Sequence, residues 1–361
     1  MKKILAISLA LILALSLCAC GGNNATSSGG KDDQVSTSLL TQVVITQRNP
    51  DDTRSTMKAV LEYDADYNII AGKSYLDDKL YNEMTFDKDP SKPLFQQDYD
   101  ENGEKDGHWI YTYDDNGNEL SSCKYDADGK ILWKYVQTYD ANGNVLTEQD
   151  YQGDELQNEY RYVYNADGKL EIRYSRWSDD EEESWTKYIY DEYGNVAKEL
   201  SGCGEEEYNT TIYRNVYENG KLVEIGILNA AGELYDLTRY DADGNVILSA
   251  SYYDGEEYYR TEYIYENGKQ MKQIGYNNGE ESYRQENTYN ADGLIMERTV
   301  VRENSTSRQV YTYNGKGLPT SYKAYDGDEL VGEAAITYET VTVSKETAKK
   351  IEAIIDALEL F

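Results

Sequence analysis

The sequence predicts an all-β chain, a repeat-built antiparallel hairpin meander closed by one short C-terminal helix. Three observations predict it. A phrase of tyrosine, an acid or amide, two further residues and glycine recurs at Tyr99, Tyr113, Tyr125, Tyr139, Tyr164, Tyr190, Tyr240, Tyr289 and Tyr313, with shorter copies at Tyr217 and Tyr265. Residues around it alternate with period two, as in Tyr160-Arg161-Tyr162-Val163-Tyr164. The chain holds 37 tyrosines and only three phenylalanines, so its core residue is amphipathic.

Taken in order, residues 1–19 read as an export signal: Lys2 and Lys3, then an apolar run from Ile4 to Leu17 that is short for a bilayer span. Leu17-Cys18-Ala19-Cys20 resembles the lipobox of bacterial lipoproteins. That resemblance implies cleavage before Cys20, a diacylglycerol on its thiol, palmitate-type acylation and an extracytoplasmic, lipid-anchored address on the bacterial cell membrane. Residues 20–38, rich in Gly, Ser and Asn, read as a flexible tether. Residues 39–343 form the repeat domain and residues 344–361 the helix.

Within the repeats, the tyrosine-to-tyrosine steps cluster near 25 residues, enough for two strands and two turns. In Tyr240-Asp241-Ala242-Asp243-Gly244-Asn245, the acids suit bonding to nearby backbone N–H groups, and the glycine suits the left-handed position of a three-residue hairpin loop with a G1 bulge. The glycines expected to hold such turns are Gly103, Gly117, Gly129, Gly143, Gly168, Gly194, Gly220, Gly244, Gly268 and Gly293; those at 220 and 268 fit two-residue type I′ loops. A weaker copy begins at Tyr63, with Tyr67 in the glycine place. Register agrees in eight of twelve copies: Ile69, Ile131, Val145, Leu170, Val196, Val246 and Ile295 sit six residues after their tyrosines and Leu222 five after Tyr217, while Lys105, Glu119, Pro319 and Gln270 break the rule. The alternative for the acidic turn is weak calcium binding between neighbouring loops. One turn offers only Asp241, Asp243 and Asn245, whereas calcium takes six to eight oxygens.

The formal net charge is −32, and loss of Lys2 and Lys3 on processing makes it more negative still. Such a surface excludes nucleic acid as a partner and favours a basic one. Cys123 and Cys203 remain as internal cysteines, and export permits a disulfide between them. His108, between Gly107 and Trp109, is the single histidine and reads as a surface residue at a turn edge. No cofactor, resident metal or catalytic residue is expected; with 67 acids, no pair stands out for glycoside hydrolysis.

The phrases Tyr164-Asn165-Ala166-Asp167-Gly168-Lys169-Leu170 and Tyr139-Asp140-Ala141-Asn142-Gly143-Asn144-Val145 look like the YD repeats of the RHS family, over roughly residues 57–330. The resemblance implies a long, curling antiparallel sheet. Some members enclose a toxin, but the chain after Glu339 has no room for one. A weaker likeness is to choline- and glucan-binding wall repeats, which rely on tryptophan pairs; here there are only Trp109, Trp133, Trp177 and Trp185. The expected function is a binding or scaffold module of the cell envelope, not an enzyme. A carbohydrate-binding or carbohydrate-active protein is the alternative, followed by a calcium-binding repeat protein. Partners would be the membrane through the lipid, envelope polysaccharide or a basic protein. At the C-terminus, Ala335–Val343 reads as a strand, Ser344 as an N-cap, and Ile351, Ile354, Ile355 and Leu358 as one apolar helix stripe covering the last sheet edge.

Overall fold

A computed structural model describes residues 34–357 except 88 and 90, with backbone alone at 354–357. Cys18, Cys20, Leu358 and the export signal lie outside the described residues. Successive strands pair antiparallel, as Arg54–Tyr63 with Ile69–Leu76 and Glu206–Glu218 with Lys221–Leu228. They fall into two compact units.

The first unit runs to Lys134 and resumes at Tyr311–Ala324 and from Leu330. It holds β1 (Gln34–Arg48), β2 (Arg54–Tyr63), β3 (Ile69–Leu76), β4 (Lys79–Phe86), β5 (Pro93–Tyr99), β6 (Lys105–Tyr113), β7 (Glu119–Asp126) and the start of β8 (Ile131–Tyr139). The second unit, Tyr135–Val310 with Tyr325–Glu329, holds β9 (Val145–Gln152), β10 (Glu155–Tyr164), β11 (Leu170–Trp177), β12 (Ser184–Tyr190), β13 (Val196–Cys203), β14 (Glu206–Glu218) and β15 (Lys221–Leu228). It continues through β16 (Leu234–Tyr240), β17 (Val246–Tyr253), β18 (Glu256–Glu266), β19 (Lys269–Asn277), β20 (Glu280–Tyr289), β21 (Ile295–Arg302) and most of β22 (Ser305–Tyr313). The chain then completes the first unit with most of β23 (Pro319–Asp326), β24 (Glu329–Ser344) and α1 (Lys345–Ala357).

Two boundaries differ from the sequence expectation. β1 starts at Gln34, inside the segment read as tether, because Thr37 and Ser38 are buried where β1 pairs with β24. Small hydroxyl residues looked like linker; here they are close-packed strand. β24 is also longer than Ala335–Val343. Its edge is not open: β24 pairs with β1 from Gln34↔Ser344 to Gln47↔Gly332. The first and last strands are therefore hydrogen-bonded to each other, which removes the edge the helix was expected to cover. Helix α1 instead roofs an apolar cluster of Leu39, Leu40, Val43, Ile336 and Val343 with Ala348 and Ile351. Ser344 does cap it, its Oγ accepting the Thr347 N–H at 3.1 Å, with Glu346 in the first turn.

A second small cluster, Ile69, Met84 and Phe86, also lies in the first unit. In the second unit the fully buried apolar side chains are only Leu237 and Ala250 among the described residues. That unit is held by its ladders and by half-buried tyrosines: Tyr160, Tyr162 and Tyr164 face inward while Arg161 and Val163 are exposed.

Among the described residues no helix is long and apolar enough to cross a membrane.

Candidate functional site

The repeated acidic turn is a self-contained hydrogen-bond unit. Gly244 N–H donates to Asp241 O at 3.1 Å, and Asp241 N–H to Asn245 O at 2.9 Å. The Asp241 carboxylate accepts the N–H groups of Asp243 and Asn245 on Oδ1 and the Asn245 amide on Oδ2, each at 2.9 Å. Asp64, Asp114 and Asp140 repeat the whole set. The asparagine amide and the backbone donors hold the Asp241 carboxyl below the usual carboxylate range. Both oxygens thus point back into the loop. Among the described residues, no group of three or more His, Cys, Asp or Glu side chains is placed to hold a metal ion.

The ten turn glycines named from sequence all have positive φ, from +73° at Gly268 to +87° at Gly244. At 220 and 268 the preceding Asn219 and Asn267 are positive too, +51° and +52°, the type I′ pattern. Tyr67, in the glycine place, adopts φ +62°.

Beside several of these turns a tyrosine reaches back to an earlier strand. Its hydroxyl donates to a backbone carbonyl: Tyr63 to Leu40 within β1, and, to residues at the start of a strand, Tyr113 to Pro93, Tyr164 to Val145, Tyr190 to Leu170, Tyr289 to Gln270 and Tyr338 to Pro319, at 2.5–2.9 Å. A bulge sits at the base of the hairpin, as at Val163/Tyr164 and Thr288/Tyr289. A lysine beside the turn completes the clip. Lys169 Nζ donates to Gly194 O at 2.7 Å and lies 5.1 Å over the Tyr190 ring; Lys269 does the same to Gly293 O and Tyr289, at 2.6 and 5.2 Å. A Cβ on Gly194 or Gly293 would overlap that ammonium. Sequence reading missed these lysines; the recurrent Gly-Lys pair was the available signal.

Other copies bond side chains: Tyr99 donates to Glu83 and Tyr139 to Gln137, each at 2.6 Å. Tyr217 donates to Asp191 Oδ2 at 2.6 Å instead of to a backbone carbonyl, and Asn215 joins it at 2.8 Å. Desolvation pushes Asp191 up, but the donors Tyr217, Asn215 and the backbone of Asn195 and Tyr193 outweigh it and bring the carboxyl down to about 2. Deeper in the second unit, Glu148 accepts from Tyr135 and Gln137, each at 2.8 Å, and from Tyr162. Burial, then the bonded carboxylate, raise both phenols.

A recess of about 530 Å³ lies on the hairpins β14–β15 and β16–β17, lined by Val216, Val223 and Ile247 among others. Glu224 stands in it between Arg214 at 3.3 Å and Arg239 at 2.9 Å. Beside it, a cleft of about 380 Å³ is bounded by Lys221 and by the Asp241–Gly244 turn. Lys221 already donates to Ala242 O at 2.5 Å. The recess offers apolar contact and a fixed ion pair, which suits binding.

His108 is not at a turn edge. It lies inside β6, stacked on Tyr125 at 4.8 Å with Phe95 on its flank at 5.6 Å. Gly107, with φ +153° and its carbonyl held by the buried Gln97 amide, imitates a turn signal within a strand. Cys123 and Cys203 are both free thiols.

No family model matches the chain, and no curated protein matches it. Solved structures do. The crystal structure of TcdB2-TccC3-Cdc42 matches at 13% identity and TM-score 0.38, over 83% of this chain and 21% of that one. TcdB2-TccC3 without its hypervariable C-terminal region matches at 14% and 0.38, over 75% and 16%. A porin-like protein from Bacteroides uniformis matches at 12% and 0.25, over 84% and 99%. The chain spans about a fifth of the length of the first of these. At these identities and scores the likenesses say nothing about what this chain binds or does.

Proposed function

We infer that this chain is a lipid-anchored extracytoplasmic protein of the bacterial cell envelope, whose YD-repeat-like sheet is a curled, stiff scaffold presenting a binding surface. The lipobox-like Leu17–Cys20 segment supports the address. One observation carries the scaffold role: the recurrent tyrosine hydroxyls go to carbonyls or carboxylates within the protein, as Tyr164 does to Val145 and Tyr162 to Glu148. Rings so held give stiffness, and their polar ends are not free for a ligand. The reading needs no catalytic step.

The test of the address is metabolic labelling with a clickable fatty acid. The parent chain should label and fractionate with membranes; Cys20→Ala should lose both label and processing. Equal labelling of the two would contradict the lipid anchor.

A further inference from the structure

On the strand ends opposite the tyrosine turns, the second unit carries a different kind of tyrosine. Hairpin irregularities leave one residue without a cross-strand partner on each of three alternate strands. Asn209 pairs with Ser201 and Glu207 with Gly202, leaving Tyr208 extra; Asp236 pairs with Ile227 and Leu234 with Leu228, leaving Tyr235 extra; Tyr259 pairs with Ser251 and Glu257 with Tyr252, leaving Tyr258 extra. These three are 67%, 37% and 47% exposed, and Tyr253 beside them is 73% exposed. They sit at the same end of β14, β16 and β18, which are linked through β15 and β17. Strands stand about 4.8 Å apart, so the rings repeat at about 10 Å.

Other tyrosines of the second unit show what such rings receive. Arg161 lies over Tyr174 at 4.8 Å, Arg260 over Tyr276 at 4.5 Å and Arg308 over Tyr325 at 4.5 Å. In the first two cases the arginine is the residue directly opposite its tyrosine. A bulged tyrosine has no residue opposite, and the rings of Tyr208, Tyr235 and Tyr258 receive no cation from the described residues. Beside them stand exposed carboxylates: Glu205 and Glu206 next to Tyr208, and Asp254 and Glu256 next to Tyr258. The whole chain carries a net charge of −32, which disfavours an anionic occupant.

We propose that this row is the docking surface for an extended basic polypeptide segment in the polyproline II conformation, with cationic side chains over Tyr208, Tyr235 and Tyr258 and ion pairs to the carboxylates beside them. A polyproline II segment has three residues per turn and rises about 3.1 Å per residue, so an arginine or lysine at every third position shares one face and recurs at about 9 Å, near the ring repeat of about 10 Å. This deepens the scaffold reading by naming the partner's chemistry, and it stands whether or not Cys20 is lipidated.

The test is fluorescence anisotropy of a labelled peptide with arginine at every third position, glycine and serine between, titrated with the full chain; glutamine replaces arginine in the control peptide. The arginine peptide binds and the control does not. Tyr208→Ala and Tyr258→Ala each lower affinity about two- to fivefold, and Phe at either position restores it. Glu205→Gln with Glu256→Gln, far from any core, also weakens binding. Alanine variants that keep their melting profile and bind as well as the parent overturn the proposal, because diffuse negative charge then suffices. Retention on insoluble cell-wall polysaccharide, lost on Tyr258→Ala, also overturns it and assigns the row to a glycan.

Discussion

Asp241 and Gly244 act together at opposite ends of one loop. The carboxylate gathers the loop's N–H groups, which fixes the chain path, and that path requires φ +87° at Gly244. Nothing lies within 4 Å of a Cβ built there, so the cost of a side chain is conformational alone. Gly244→Val should therefore destabilise by about 1–2 kcal/mol more than Ala242→Val, measured by local hydrogen exchange or urea melts. Equal costs would contradict the assigned turn. Protonation gives a second readout. The Asp191 carboxyl, held at about 2, contributes stability that is complete above its unfolded value near ~3.9 and is lost as pH falls through the folded one. Thermal melts should decline between about pH 4 and pH 2, and Asp191→Asn should flatten its share of that decline. The turn was legible because glycine and acids name it directly. Tyr67, at φ +62°, was legible only as an imperfect copy.

Each hairpin is one repeat element, and in several a tyrosine ties it to the one before. Tyr338 is the clearest case: its hydroxyl reaches Pro319 O at 2.9 Å, and burial pushes the phenol up to about 12. Tyr338→Phe removes that single bond and should cost about 1 kcal/mol in a denaturant melt; no change would mean the latch is ornamental. Ser344→Ala should cost about 1 kcal/mol by uncapping α1, seen as earlier fraying of that helix. Strand alternation was readable here, since Tyr160, Tyr162 and Tyr164 do share the inward face. The bulges were not. The residue left without a cross-strand partner below the tyrosine turns is Glu171 in one repeat and Ala197 in another, so no residue type marks them. The lysine clips were missed for a related reason: Lys169 and Gly194 are 25 residues apart, and only the completed ladder brings them together.

For the whole molecule, the account rests on how the two units are stabilised. The first has a dry cluster roofed by α1, and its terminal strands pair. That pairing was not legible, because Ser36, Thr37 and Ser38 carry linker-like composition and a strand's partner 300 residues away leaves no periodic trace. The second unit has almost no dry core and depends on tyrosines whose rings pack and whose hydroxyls bond inward. Tyrosine as the main core residue was legible from composition; which carboxylates receive the hydroxyls was not. The most direct test of the scaffold claim is Tyr162→Ala, read twice on the same preparation. The change removes a half-buried ring and leaves Glu148 with one donor fewer. The account predicts a loss of about 2 kcal/mol or more in the unfolding of the second unit, with no specific loss of binding to cell-wall polysaccharide. Unchanged stability together with abolished polysaccharide binding would contradict it and make the tyrosine face a ligand platform.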